Sequence, residues 1–283
     1  MTDTAAAADA GTVTLGDREV NRLGYGAMRI TGDGVWGPPE DRAEALRVLR
    51  RAVELGVQLI DTADSYGPDV SEELIAEALH PYPEDVVVAT KGGLTRSGPG
   101  QWSANGRPDH LREACEGSLR KLRVDRIDLY QLHTPDSDVS YEESVGTLAE
   151  LREEGKIDLI GVSNVSSDEL ATARGVTEVA SVQNRFNVSD RSNEDVLDTC
   201  TEDGLAFLPW FPLAAGRPAE VAEGIARERG TSAHGVAIAW LLRRSPSIAP
   251  IPGTSSVEHL EENVAAAGLE LSDAELEEIS SAA

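Results

Sequence analysis

Beyond an Ala-rich start, the chain alternates two hydrophobic rhythms. Short continuous apolar runs occur at 57–61 (VQLID), 86–91 (VVVATK), 127–133 (IDLYQLH), 157–164 (IDLIGVSN), 179–184 (VASVQN), 205–210 (LAFLPW) and 248–253 (IAPIPG). They are rich in Val, Ile and Leu and do not alternate with polar residues, which is how strands buried on both faces read. Between them apolar residues recur at helical spacing. Leu111, Ala114, Cys115, Ser118, Leu119 and Leu122 share one face, and Val145, Leu148, Ala149 and Arg152 straddle the edge of another. Ser71 ahead of Glu73 and Leu74 predicts a helix start, and Gly56, Gly155 and Gly204 predict helix ends before strands. Upstream, VTLGDREVNRLGYG predicts a hairpin turned at Gly16-Asp17, then a strand running towards Met28 that brings the strands to eight.

Strand followed by helix, eight times, predicts a parallel sheet with crossovers. An open sheet that binds a dinucleotide carries GxGxxG after its first strand, whereas LGYGAMRITGDG at that place does not open a helix. Eight units in about 270 residues predict instead an α/β fold, the (β/α)8 TIM barrel. It would carry an N-terminal β-hairpin and extra C-terminal helices at 217–229 and 272–281, the last opened by Ser272 as N-cap. No linker or compositional shift divides the chain, so residues 1–283 are expected as one barrel domain, with 1–11 a disordered tail.

Lysine and arginine number 25 against 50 Asp and Glu, a net charge of −25, which argues against nucleic acid and anionic membranes as partners. Cys115 and Cys200 form no CxxC and fall on apolar helix stripes, as buried free thiols do. The opening MTDTAAAADA has no basic region or long apolar stretch, and no apolar run nears membrane-spanning length, so a soluble cytoplasmic protein is expected.

In a barrel, reactive groups belong at the C-terminal ends of strands. Those ends carry Asp61 with Tyr66 in the following loop, then Lys91, His133, Ser163 and Asn164, and Gln183 and Asn184. The strands bearing Asp61, Lys91 and His133 are neighbours, so these residues can converge with Tyr66. An ammonium held close favours the phenolate and brings a tyrosine hydroxyl within reach as a general acid. Lys91 would supply that charge, Asp61 would hold the lysine, and His133 would donate to a substrate oxygen. Read singly, a turn-capping Asp, a loop-packed Tyr and a structural His are the ordinary alternatives. Together they look built to protonate an oxygen.

The residues at this point resemble the aldo-keto reductase family. The matching stretches are DTADSYG (61–67), VVVATKGG (86–93), IDLYQLH (127–133), GVSN (161–164), SVQNRFN (181–187), LPWFPLAAG (208–216) and IPGTSSVEHLEEN (251–263), in family order. The resemblance implies carbonyl reduction by hydride from a nicotinamide cofactor lying across the barrel mouth, without a metal. Tyr66 would be the acid, Lys91 and Asp61 would tune it, and His133 would orient the carbonyl. Ser163, Asn164 and Gln183 match the residues that hold the carboxamide, and uncharged donors and acceptors suit an amide. Trp210 takes the place of an aromatic that stacks on the nicotinamide. Phe211 stands where the family usually has Ser, so with Pro212 and Leu213 alongside, any pyrophosphate contact falls to backbone N–H groups.

At the adenosine end the resemblance places phosphate at a helix start. Relatives selecting NADP often carry Lys or Arg where this chain has Gly253 and His259. Thr254, Ser255, Ser256, Glu262 and Asn263 remain as hydrogen-bonding candidates, the last two fitting adenine. NADP is the expected cofactor, with NAD the alternative. Met28, Arg29, Trp36, Trp102 and the loop 94–107 are expected to contact a small-molecule carbonyl substrate, Arg29 as a selector of acids or as a surface ion pair. A cofactor-binding sensor or regulatory subunit on the same barrel is the rival reading. A metal-dependent hydrolase lacks its ligands, since of His80, His110, His133, His234 and His259 only His133 sits at a strand end.

The basic side is lopsided: only Lys91, Lys121 and Lys156 are lysines among 25 basic residues. Abundant carboxylates with so few lysines fit a cytoplasm of high ionic strength, where screening relieves self-repulsion. Folding stability and activity are therefore expected to rise with KCl. A thermal-melt series that weakens as KCl increases would refute salt adaptation.

Overall fold

A computed structural model describes residues 6–213 and 220–282. Strands β1 (Thr12–Leu15) and β2 (Arg18–Asn21) pair Leu15 with Arg18, so the hairpin turns at Gly16-Asp17 as expected. Gly16 has a φ of 59°, which a two-residue hairpin turn favours. The hairpin plugs the end of the barrel where strands begin. Val13, Leu15 and Val20 pack with Leu59, Val87, Leu129, Ala206 and Ala249, while Arg18 bridges Asp128 and Asp158 at 2.9 and 2.7 Å.

The barrel strands are β3 (Tyr25–Gly26), β4 (Leu59–Asp61) and β5 (Val87–Gly92), then, after a hairpin of β6 (Leu94–Gly98) and β7 (Gln101–Ala104), β8 (Ile127–Leu132), β9 (Ile157–Ser163), β10 (Ser181–Gln183) and β11 (Ala206–Phe207). Seven lie parallel in the order β11-β10-β9-β8-β5-β4-β3. Neighbouring residues explain the continuous apolar runs: Val88 faces the helical layer, whereas Val87 and Ala89 face the barrel interior.

The eighth expected strand, 248–253, closes the ring without being a regular strand. Ala249 N–H donates to Phe207 and Phe207 N–H to Ser247, each at 2.8 Å, while Gly24 N–H donates to Pro250 at 2.9 Å. Pro250 and Pro252 have no N–H for a ladder, which explains the interrupted pairing. Arg22 reinforces the seam from Nε to the carbonyl of Ile248 and from Nη2 to those of Leu242 and Ser245.

Around the strands run α1 (Arg42–Glu54), α2 (Val70–Leu79), α3 (Pro108–Leu122), α4 (Tyr141–Glu153), α5 (Ser167–Val176), α6 (Glu194–Asp203), α7 (Glu220–Arg229), α8 (Ala233–Arg244), α9 (Val257–Ala265) and α10 (Asp273–Ser281). The predicted α3 face, from Leu111 to Leu122, is the buried one apart from the half-buried Leu119. α7 fills most of the expected 217–229, of which 217–219 lie outside the described residues. Ser272 caps α10 in a capping box with Glu275, as expected. Among the described residues no helix is long and apolar enough to cross a membrane. Cys115 and Cys200 are free and buried, and burial pushes both thiols up to about 12.

Three local expectations are corrected. Part of the expected tail is ordered: Ala7–Ala10 form a 3-10 turn, with Ala7 buried and its N–H donating to Leu55. Ser71 does not cap α2, whose N-cap is Asp69; buried within the first turn, its hydroxyl meets Thr62 at 2.7 Å. The loop 94–107 is largely the β6–β7 hairpin.

A buried polar cluster lies beneath the mouth, between α2, α3 and β5. Glu72 is fully buried, accepts from Thr90 at 2.6 Å and pairs with Lys121, which also meets Asp69 at 2.5 Å. Asp64, in the turn before α2, keeps one carboxyl oxygen buried without a partner. Desolvation, then repulsion from Glu72, pushes its carboxyl up to about 8. The folded chain thus keeps this proton to about pH 8, whereas the unfolded chain loses it near pH 4, about the ordinary Asp value. Folding binds a proton across that window, so this group's contribution falls as pH rises. Relative to wild type, Asp64→Asn is expected to gain urea stability progressively from pH 5 to pH 8; a constant difference would sink the assignment.

Candidate active site

Asp61 ends β4, Lys91 lies at the end of β5, His133 follows β8, Ser163 ends β9 and Gln183 ends β10. The parallel register therefore delivers all five to one mouth. Lys91 is fully buried, and its ammonium lies 2.8 and 2.7 Å from the two carboxylate oxygens of Asp61 and 2.7 Å from the carbonyl of Thr62. Asp61 Oδ1 also accepts from Gln183 at 2.8 Å and Gln131 at 3.2 Å. Burial pulls the Lys91 ammonium below its ordinary value, against the opposing attraction of Asp61.

Tyr66 lies over this pair, its ring centre 5.3 Å from Lys91 Nζ. Asp61, paired with Lys91, cancels much of the field that the ammonium exerts on the phenol. Burial, then Asp61 and Asp64, holds the Tyr66 phenol well above its ordinary value, so it stays protonated. His133 packs edge-on to Tyr66, ring centres 5.9 Å apart. Burial and then Lys91 hold its imidazole far below the ordinary range, hence neutral. Its Nδ1 is buried without a partner, leaving Nε2 to meet a ligand.

These groups line one end of a cavity of about 720 Å³ that reaches the start of α9. Among the predicted residues, Met28, Arg29, Trp102, Ser163, Asn164, Gln183, Trp210, Phe211, Pro212, Leu213, Gly253, Thr254, His259, Glu262 and Asn263 line it with Asp61, Tyr66 and His133. Lys91 lies beneath the lining rather than in it. The expected carboxamide-binding residues hold one another: Ser163 donates to Gln183, and Asn164 donates to His133 and accepts from Trp210 Nε1 at 3.0 Å.

Three expected contacts fall outside the lining. Trp36 is 37% exposed and faces Arg96. Ser255 is exposed, and the Ser256 hydroxyl caps α9 by accepting from His259 N–H. Val257 N–H donates to Glu44, so a second first-turn donor of α9 is also taken. The anion-binding helix start read from the sequence is therefore largely occupied by the protein's own acceptors. Arg29 sits differently too: a Cβ on Gly253 would lie 3.5 Å from its Cγ and 2.7 Å from the Gly26 carbonyl, so Gly253 permits close packing of this loop on β3. Sequence reasoning missed Gly26, Val35, Thr134, His234 and Ile251 in the lining, whereas Leu94 falls in the expected loop 94–107. Thr134 follows His133 directly, and that adjacency was the one usable signal.

The Aldo/keto reductase family profile matches residues 22–219 and 217–283. An uncharacterized oxidoreductase of Schizosaccharomyces pombe is 47% identical over 269 residues, covering 94% of this chain and 88% of the relative. Pyridoxine 4-dehydrogenase of Escherichia coli is 44% identical over 271 residues, covering 93% and 94%. Among solved structures, the glycerol dehydrogenase of Gluconobacter oxydans superposes with a TM-score of 0.86 at 29% identity, covering 96% of this chain and 94% of that one. An aldo-keto reductase of Klebsiella pneumoniae in complex with NADPH superposes with a TM-score of 0.80 at 27% identity, covering 95% and 93%. A complete barrel, a converged Asp61, Tyr66, Lys91 and His133 set and a profile match along nearly the whole length lead to one assignment: the chain belongs to the aldo/keto reductase family of oxidoreductases.

Proposed function

We propose that the chain reduces the carbonyl group of aldehydes or ketones to an alcohol with NADPH, Tyr66 serving as general acid. The observation that carries this reading is the placement of Tyr66, a buried phenol that lines the cavity edge-on to His133 and above the Lys91–Asp61 pair. When bound, the cofactor supplies the hydride. Tyr66 gives its proton to the carbonyl oxygen as charge develops there. His133 Nε2–H donates to the same oxygen and fixes its direction. Lys91 and Asp61 act from beneath, holding the floor under the phenol and offering a cation 5.3 Å from its ring as the proton leaves. The same groups operate in reverse on an alcohol, the direction named for the Escherichia coli and Gluconobacter oxydans relatives.

The cavity suits an extended dinucleotide. Amide-holding groups and Trp210 stand at one end, with Thr254, His259, Glu262 and Asn263 at the other. NADP is the cofactor this reading favours, supported by the Klebsiella pneumoniae structure holding NADPH. Among the described residues, Arg29 and His259 are the cavity-lining side chains available for the added phosphate, since the α9 cap is engaged elsewhere.

Breaking a buried ion pair costs about 3–5 kcal/mol, a large share of the roughly 5–15 kcal/mol that holds a domain folded. Lys91 variants therefore confound chemistry with folding, and Tyr66 is the cleaner test. Tyr66→Phe should reduce aldehyde-dependent NADPH oxidation by at least roughly 10²-fold while NADPH still quenches tryptophan fluorescence. Retained turnover would remove Tyr66 as the acid. KM measured for both cofactors should be lower for NADPH than for NADH, and the opposite order would reassign the cofactor to NAD.

A further inference from the structure

Arg96 on β6 has no part in the chemistry just described, and it does not line the cavity. Its five N–H groups all end on backbone carbonyls. Nε donates to Gln101 at 2.9 Å and Nη2 to Gly98 at 3.3 Å, folding the hairpin onto itself. Nη2 also reaches Gly34 at 2.8 Å, and Nη1 reaches Val35 at 2.7 Å and Ser65 at 2.8 Å. One side chain thus ties together the β6–β7 hairpin, the loop at 34–36 and the turn that carries Tyr66. Val35 has a φ of 56°, unusual for a β-branched residue, so its loop needs an external hold. The guanidinium also lies over Trp102, 3.5 Å from the ring centre. Trp102 stands on β7, a fully exposed strand, yet its edge reaches Tyr66 and His133 at ring separations of 6.3 and 6.5 Å.

We propose that Arg96 is a positioning residue that sets the substrate wall of the cavity and makes the enzyme prefer uncharged aromatic carbonyl compounds. The inference rests on the carbonyl-reductase reading above. The tied segments give the cavity Val35, Leu94 and Trp102, all apolar. Facing them, Tyr66 and His133 are both neutral, so an acidic substrate finds no free cation among these five. A flat ring finds the Trp102 indole already held by the Arg96 guanidinium, so little freedom is lost on packing against it.

The test compares benzaldehyde with propanal in wild type, Arg96→Ala and Arg96→Lys. Wild type should favour benzaldehyde in kcat/KM. Arg96→Ala should raise KM for benzaldehyde roughly tenfold while KM for propanal changes less than about threefold, the pattern of lost substrate binding. Arg96→Lys should not restore the preference, because an ammonium lacks the planar fork that reaches five carbonyls. Should Arg96→Ala fail to fold, Trp102→Ala, on the exposed hairpin, should show the same drop in the benzaldehyde-to-propanal ratio. A ratio unchanged in folded variants, or fully restored by lysine, overturns the inference alone. A wild type inert towards both aldehydes with either cofactor overturns the carbonyl-reductase reading along with it.

Discussion

An ammonium buried inside a barrel survives only where a carboxylate and further acceptors surround it. Lys91 meets that demand through Asp61 on the next strand and the Thr62 carbonyl, and Asp61 in turn collects the amides of Gln131 and Gln183. Four strands, β4, β5, β8 and β10, thereby converge on one carboxylate. A shift of one residue in any of them would turn its polar side chain outwards and strand the others, so the pair fixes the relative heights of the strands that build the mouth.

Because the two charges satisfy each other, the groups that stand over them, Tyr66 and His133, face the cavity uncharged. The phenol keeps its proton and the imidazole lacks one, both mainly through burial. The floor of the site is an internally compensated support on which an uncharged phenol and an uncharged imidazole stand side by side.

Much of this was legible in the sequence, for identifiable reasons. Strands buried on both faces leave continuous apolar runs, and parallel crossovers force their polar last residues to one end, so Asp61, Lys91 and His133 could be placed together from spacing alone. The Gly16-Asp17 turn announced its hairpin because few dipeptides tolerate that backbone. Interactions with main-chain atoms were invisible. Arg96 is held by five carbonyls, and a carbonyl carries no sequence signature. Ser256 looked free for phosphate until the α9 cap engaged it, and Trp36 looked like pocket wall until its loop folded back towards Gly67. The final stave was recognised by its apolar residues, but its two prolines broke the ladder.

That broken stave bears on synthesis. The seam joins β3 and Arg22, made early, to carbonyls between Leu242 and Pro250, made late. On the ribosome the first stave therefore waits with an unpaired edge until nearly the whole polypeptide has emerged, exposed to association with other nascent chains.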